Sequence, residues 1–390
     1  MMLKLALRNL LGAGMKTWLT VGVLSLAFVT IIGLQGVYEG MNQQASEAMI
    51  AAELGGGQYW HEKYDPQNPF DLPDAHGPVP AALGQLAARD QATAILAVQG
   101  FMYVAGGLRP VLLKGIDPKQ RVLTLPAAAM GDATSAEVPA LIGNRMARDT
   151  GLKVGDVATV RWRDARGTFD AQEIRIAQVM STTVQSVDSG QVWLPLDRLR
   201  QMARMEGEAT WIVLAADTPS PGTIAGWNLK DTDFLLSDLR SMVRMKKLGG
   251  SIAYLMLLFL AMLAILDTQI LSIFRRRKEI GTLMALGVTR GSVIQLFTME
   301  GAFNAVLAAL AGAVYGIPLL AYASRIGLPL PAAIDQAGIS LGERIYPAYG
   351  AVLVVGTTAL VLVVTTIVSY LPTRRIALLK PTDALRGRLT

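Results

Sequence analysis

A chain of 390 residues that is 52% hydrophobic and only 17% charged, with a mean hydropathy of +0.38, is too apolar for a purely water-soluble fold, so lipid must face part of it. The apolar content comes mainly from Ala, Leu, Val and Ile, with 6% aromatics, which favours packed helices over a barrel. The net charge of +6 concentrates in basic runs at 275–278 and 374–380, each directly after a long apolar run; these read as positive-inside anchors, not as a nucleic-acid surface, and the absence of cysteine excludes disulfides, thiolate catalysis and cysteine metal sites.

In chain order, residues 1–16 form a short basic cytoplasmic segment with Lys4, Arg8 and Lys16, followed by a first transmembrane helix at 17–38 whose run from Trp18 to Val37 carries no charge. A signal peptide competes, but the run is long and no small-x-small cleavage site precedes Tyr38 and Glu39, so the reading is an uncleaved anchor. Residues 39–247 have soluble-domain composition and form an exported domain with helical stalks at 42–54 and 231–247. Within it, 61–80 is rich in Pro, Asp, Asn and Gly and reads as a surface loop. Strands are expected at 93–98, 101–104, 111–114, 157–162, 173–180, 191–194 and 211–214, with helices at 81–90, 144–150 and 196–205, giving an α+β domain in two lobes.

A second transmembrane helix follows at 248–274, a cytoplasmic connection at 275–293, a third transmembrane helix at 294–320, a loop on the outer side at 321–348, a fourth helix at 349–371 and a cytoplasmic tail at 372–390. The expected fold is thus a membrane protein of four transmembrane α-helices, with a large α+β extracytoplasmic (periplasmic) domain between the first and second. Both termini are expected in the cytoplasm. Arg240, Arg244, Lys246 and Lys247 oppose this orientation, but long translocated domains largely escape the charge rule.

The most informative segment is FRRRKEIGTLMALGVTR at 274–290. It is amphipathic, charged at its start and predicts a short helix along the cytoplasmic face, ended by Gly287. Ile280, Leu283, Met284 and Leu286 can seat in the membrane surface or in a partner's groove; the plainer alternative is an anchoring turn. Two acids fall within spans, Asp267 and Glu300, and intramembrane acids usually face protein or water. Pairing with Arg275 or Arg276, or with a partner helix, is the structural reading and a proton relay the sharper one. His61 and His76, among Glu62, Asp65, Asp71 and Asp74, lack regular metal-ligand spacing, so a solvated loop is expected and no metal site. No catalytic residue is assigned. Gly301, Gly312 and Gly316 permit close helix approach, within the subunit or in a dimer.

On these motifs the sequence resembles the MacB/FtsX-like permeases of ABC transporters, which include the lipoprotein-release permeases. The likeness is carried by RRRKEIGTLMALGVTRGSVI at 275–294, the opening LALRNLLGAGMKTWLT, FTMEG at 297–301 and the exit LPTRRIALLKPTDALRG, with Ile376 where that ending usually has Ala. KGIDP at 114–118, IGNRMARDTGLKVGDVATV at 142–160 and VWLPLDRLRQM at 192–202 are similar to the family's periplasmic domain. The resemblance implies a coupling helix of Glu279, Ile280, Gly281, Leu283, Met284, Ala285, Leu286 and Gly287 that docks on a cytoplasmic ATP-binding subunit. ATP and Mg are then expected on that partner chain, since this sequence has no phosphate-cradling G-x-x-x-x-G-K-[ST] loop and no LSGGQ; no cofactor is expected on this chain. Further implied partners are a second permease chain, membrane lipid and a periplasmic adaptor or chaperone, in a bacterial inner membrane. The resemblance leaves two functions: extraction or export of a lipoprotein, lipid or other amphiphile, or non-transporting, FtsX-like regulation of a periplasmic cell-wall hydrolase.

Overall fold

The structure, a computed structural model, describes residues 15–104, 106–131, 137–182, 184–329 and 344–377. Most of the opening motif before residue 15 and the tail beyond 377, including Pro381, lie outside the described residues. The chain divides into two compact units: Met1–Asn42, Met242–Leu328 and Ile345–Thr390 make one, and Gln43–Ser241 with Pro329–Arg344 the other.

The first unit is helical. Four helices are long and apolar enough to cross a membrane. They are α1 (Met15–Met49), α7 (Ser237–Arg275), α9 (Arg290–Ile326) and α10 (Ala351–Ala377), with the short α8 (Arg277–Ala285) between α7 and α9. All four outrun the apolar stretches read from sequence, because backbone hydrogen bonding continues through the polar flanks as long as no breaker intervenes. Thr289 starts α9 by accepting the Ser292 amide on its hydroxyl at 3.3 Å, and Gly327, at φ +74°, ends it.

Where these helices meet, small residues allow the approach. A Cβ on Gly301 would lie 2.0 Å from Ser369 Oγ on α10, and one on Gly316 would lie 2.6 Å from Val29 Cγ2 on α1. Gly312 faces Ser25 and Val29 of α1 as well. The glycines are therefore used within the subunit. Between the helices, Thr357 donates to Gln35 Oε1 at 2.9 Å and Thr20 shares a hydrogen bond with Thr268 at 3.2 Å, polar contacts suited to a setting without water.

The second unit is a single α+β domain. Its strands are β1 (Gly57–His61), β2 (Gly77–Pro78), β3 (Ala92–Val104), β4 (Gly107–Ile116), β5 (Val138–Gly143), β6 (Val157–Arg163), β7 (Phe169–Met180), β8 (Gln191–Pro195), β9 (Glu208–Ala209), β10 (Trp211–Leu214) and β11 (Trp227–Lys230). Helices α2 (Ala81–Ala87), α3 (Asn144–Thr150), α4 (Gln185–Ser189), α5 (Leu196–Ala203) and α6 (Thr232–Leu235) lie between them. The main sheet runs β11-β1-β10-β3-β4-β8-β5-β7-β6, and β6 returns to pair with β3. That last pairing closes β3, β4, β8, β5, β7 and β6 into a ring and leaves β11-β1-β10 as an extension.

The two lobes expected from sequence are thus two regions of one sheet that share β3. Residues 92–95 of that strand pair with β10 and residues 100–103 with β6, while β4 runs along the other side. Successive side chains on a strand alternate in direction. Leu96, Val98 and Met102 join one buried cluster with Leu113, Val160, Ile174 and Leu194, while Ile95 and Ala97 join a second cluster with Trp193, Trp211 and Val213. Burying each of these larger aliphatic side chains contributes about 1.5–3 kcal/mol. Strands β1, β5 and β11 were not expected, and β3 is one strand where two were read, because Gly100 sits inside it opposite Val111 and Trp162 without interrupting the ladder. The expected 61–80 loop also contains a 3-10 turn at Pro69–Asp74 and the short β2.

Candidate coupling site

The corner between α7 and α9 is organised by one arginine. α7 ends at Arg275, and Arg276, at φ −98° and ψ 13°, leaves helical geometry for a single residue before α8 begins. From there its guanidinium reaches in two directions. Nε donates to Glu279 Oε2 at 3.0 Å in the first turn of α8, and Nη1 donates to Glu300 Oε1 at 2.9 Å on α9. The Phe297 ring lies 5.3 Å from the guanidinium carbon, adding a cation–π contact. The Glu300 side chain is 9% exposed, and a carboxylate so enclosed requires a charged, hydrogen-bonded partner. Of the two sequence readings for Glu300, the geometry shows the structural ion pair.

Below this corner Ile273, Ile280, Val293 and Phe297 are buried together, with Met284 and Val288 packed against them. Ile280 and Met284, four residues apart, share one side of α8 and seat it on its neighbours. Glu279, Thr282, Ala285 and Leu286 are exposed, Leu286 at 78%. The apolar set read as one docking stripe is therefore divided: Ile280 packs inside the unit, and Leu286 is presented outward. Gly281 is buried, Leu283 lies within α8, and Gly287, at φ +93°, stops the helix in a conformation that glycine adopts without strain.

Asp267 behaves differently from Glu300. It stands two residues after Ile265 and two before Gln269, both buried, so helical rotation turns it to the opposite, exposed face of α7. It has no ion-pair partner among the described residues, which corrects the expectation of pairing with Arg275 or Arg276. His61 and His76 lie near each other but make different contacts. His61 packs edge-on to Trp227 at 5.7 Å, and His76 contacts Glu208. No group of three or more His, Asp and Glu positioned to hold a metal occurs among the described residues.

Residues 251–381, which run from within α7 through the Arg276 corner, α8, α9 and α10, match the FtsX-like permease C-terminal domain. The chain carries an FtsX-like permease domain and is similar to the MacB/FtsX-like permeases. As an ABC transporter permease it is a multi-pass inner-membrane subunit, and its family implies association with a cytoplasmic ATPase. It is 21% identical over 309 residues to the lipoprotein-releasing system transmembrane protein LolC of Xylella fastidiosa, covering 71% of this permease and 73% of that protein. It is 22% identical over 244 residues to LolC of Neisseria meningitidis serogroup B, covering 57% and 59% of the two chains. An uncharacterised ABC transporter permease of Methanocaldococcus jannaschii is 30% identical over 130 residues, 33% of this permease and 30% of that one. Among solved structures, the periplasmic region of MacB from Actinobacillus actinomycetemcomitans aligns at 12% identity and a TM-score of 0.32, covering 47% of this permease and 92% of that chain.

Proposed function

We propose that this permease transmits the motion of a separate ATP-binding subunit to its α+β domain, and that the motion extracts or exports a lipoprotein, lipid or other amphiphile. The observation that carries the reading is α8, a short helix seated from below by Ile280 and pinned at its start by the Arg276–Glu300 pair, with Glu279, Thr282, Ala285 and Leu286 facing outward. A helix held this firmly behaves as a lever: force on its outer face passes to α7 and α9 and is not lost in local unfolding. In this reading both termini and α8 are cytoplasmic, and the domain between α1 and α7 lies on the far side of the membrane. ATP and Mg bind the partner ATPase, and two permease chains complete the working unit.

Relatives named for lipoprotein release support an amphiphilic cargo over the regulation of a cell-wall hydrolase. The test is purification of the tagged chain in mild detergent with identification of the proteins and lipids that accompany it. A Walker-motif ATPase with a lipoprotein or lipid is the expected recovery. A cell-wall hydrolase in place of cargo would overturn the transport reading, and recovery of no ATPase across several detergents would overturn the coupling reading.

A further inference from the structure

The five residues after α1, Ile50–Leu54, form a π-helical turn. Such turns lose the regular hydrogen-bond ladder and persist only when neighbours satisfy the displaced groups. Here the neighbours come from the α+β domain. The Ala51 carbonyl accepts both the amide and the hydroxyl of Thr124, at 2.8 and 3.0 Å, and the Glu53 carbonyl accepts Gln58 Nε2 at 2.9 Å. The turn closes when the Gly55 amide donates to the Ile50 carbonyl at 2.8 Å.

The Glu53 side chain makes the strongest attachment. Lys114 of β4 donates to its Oε1, joined by Gln191 of β8 at 3.1 Å, and Ser186 of α4 donates to Oε2 at 3.3 Å. Lys114 is 1% exposed, and its ammonium lies 5.0 and 5.1 Å from the ring centroids of Trp193 and Trp211. Strand alternation explains the burial: Leu113 points into the ring of strands, and Lys114 points to the opposite side, under the π turn. The chain then leaves without slack. A Cβ on Gly55 would stand 2.3 Å from the Leu214 carbonyl oxygen, and one on Gly56 would stand 2.5 Å from that of Ala215.

We infer that the Glu53–Lys114 pair fastens the end of α1 to the β sheet as a rigid joint, so that displacement of the helix end carries the domain with it as one body. A flexible linker at this place would dissipate such a displacement. Three side-chain donors from three different elements converge on one carboxylate, which restrains both translation and rotation of the turn. Glu53 and Lys114 are therefore positioning residues for the proposed ATP-driven movement, and the inference rests on that reading for its purpose, though not for its geometry.

Because the chain has no cysteine, two spin labels can be placed uniquely, at Gln43→Cys before the turn and Arg166→Cys in the β6–β7 connection. Distances would be measured on the full chain with its ATPase in lipid nanodiscs, without nucleotide and trapped with an ATP analogue. The expected result is one narrow distribution, the same in both states, that broadens in Glu53→Gln/Lys114→Met. That double variant buries no charge and so separates loosening of the joint from collapse of the fold. It should keep its ATPase rate while ATP-driven cargo movement falls about tenfold, the scale on which coupling residues act. The charge exchange Glu53→Lys/Lys114→Glu should recover part of the narrow distribution. An unbroadened double variant, or a wild-type distance that shifts with nucleotide, would overturn the joint. Recovery of no ATPase would remove the proposed function, while the nucleotide-free distributions would still decide the joint.

Discussion

Arg276 holds Glu279 and Glu300 at once, and the two arms of that contact differ in weight. The Glu279 side chain is 66% exposed and water competes for it, so its share is small. Glu300 is enclosed, and Arg276→Met would remove a hydrogen-bonded charge partner from it at a cost of about 3–5 kcal/mol. The expected outcome is earlier thermal unfolding and faster proteolysis in detergent, largely reversed in Arg276→Met/Glu300→Gln, which removes both charges. Asp188 tests burial in the α+β domain. Its side chain is 5% exposed, and burial raises its carboxyl above the ordinary aspartate range, against amide hydrogen bonds from Arg145 and Asn144 and the charges of Arg145 and Arg148. A carboxyl that holds its proton more tightly when folded stabilises the fold below the unfolded value, about 3.9, and loses that contribution as pH rises through the raised one. Asp188→Asn should therefore be the more stable protein at pH 7, with the advantage shrinking toward pH 4. Denaturant midpoints followed by tryptophan fluorescence would show it, and a gap that widens on acidification would reverse the sign.

At the scale of elements, helix contacts depend on which glycines have neighbours. Gly301 and Gly316 abut Ser369 and Val29, so Gly301→Leu or Gly316→Ile should separate α9 from α10 or α1 and destabilise by about 1–3 kcal/mol. Gly22 of α1 has nothing within 4 Å of a built Cβ. Gly22→Ala should accordingly be neutral, or stabilising by up to about 1 kcal/mol through helix propensity. Detergent-solubilised melting temperatures of the three variants check the contrast, and equal losses at all three sites would refute it. The same logic separates the two sides of α8: Met284→Asp should destabilise the corner itself, whereas an exposed position should not.

For the whole molecule the exposed positions of α8 matter most. Leu286→Asp should leave insertion and thermal stability unchanged, because the side chain is 78% exposed, and should lower both ATPase association and ATP-driven function. Co-purification yield and ATPase rate with the partner present are the measurements, and an unchanged pair of values would move the docking surface elsewhere. The long apolar face of α7, where Leu255, Met256, Phe259 and Leu260 are all more than half exposed, is suited to lipid or to a second permease chain.

Spans, soluble insert and the short helix at 277–285 were legible from sequence because each depends on a local property: runs of about twenty apolar residues, a composition change and a basic amphipathic segment ended by glycine. The family likeness was legible from motif spacing. Closure of the strand ring was not, since the pairing of β3 with β6 joins residues about sixty apart and leaves no local trace. Nor was the division of the α8 stripe, because Ile280 and Leu286 are equally apolar and only the position of Phe297 and Val293 decides which is covered. Glu53 and Lys114 left a faint signal, each a lone charge amid apolar neighbours, in AAELGG and VLLKGI. Local chemistry by itself determined where this chain meets lipid and where water; tertiary structure decided which charges meet each other, because a buried ion is tolerated only beside its partner and that partner is chosen by the fold.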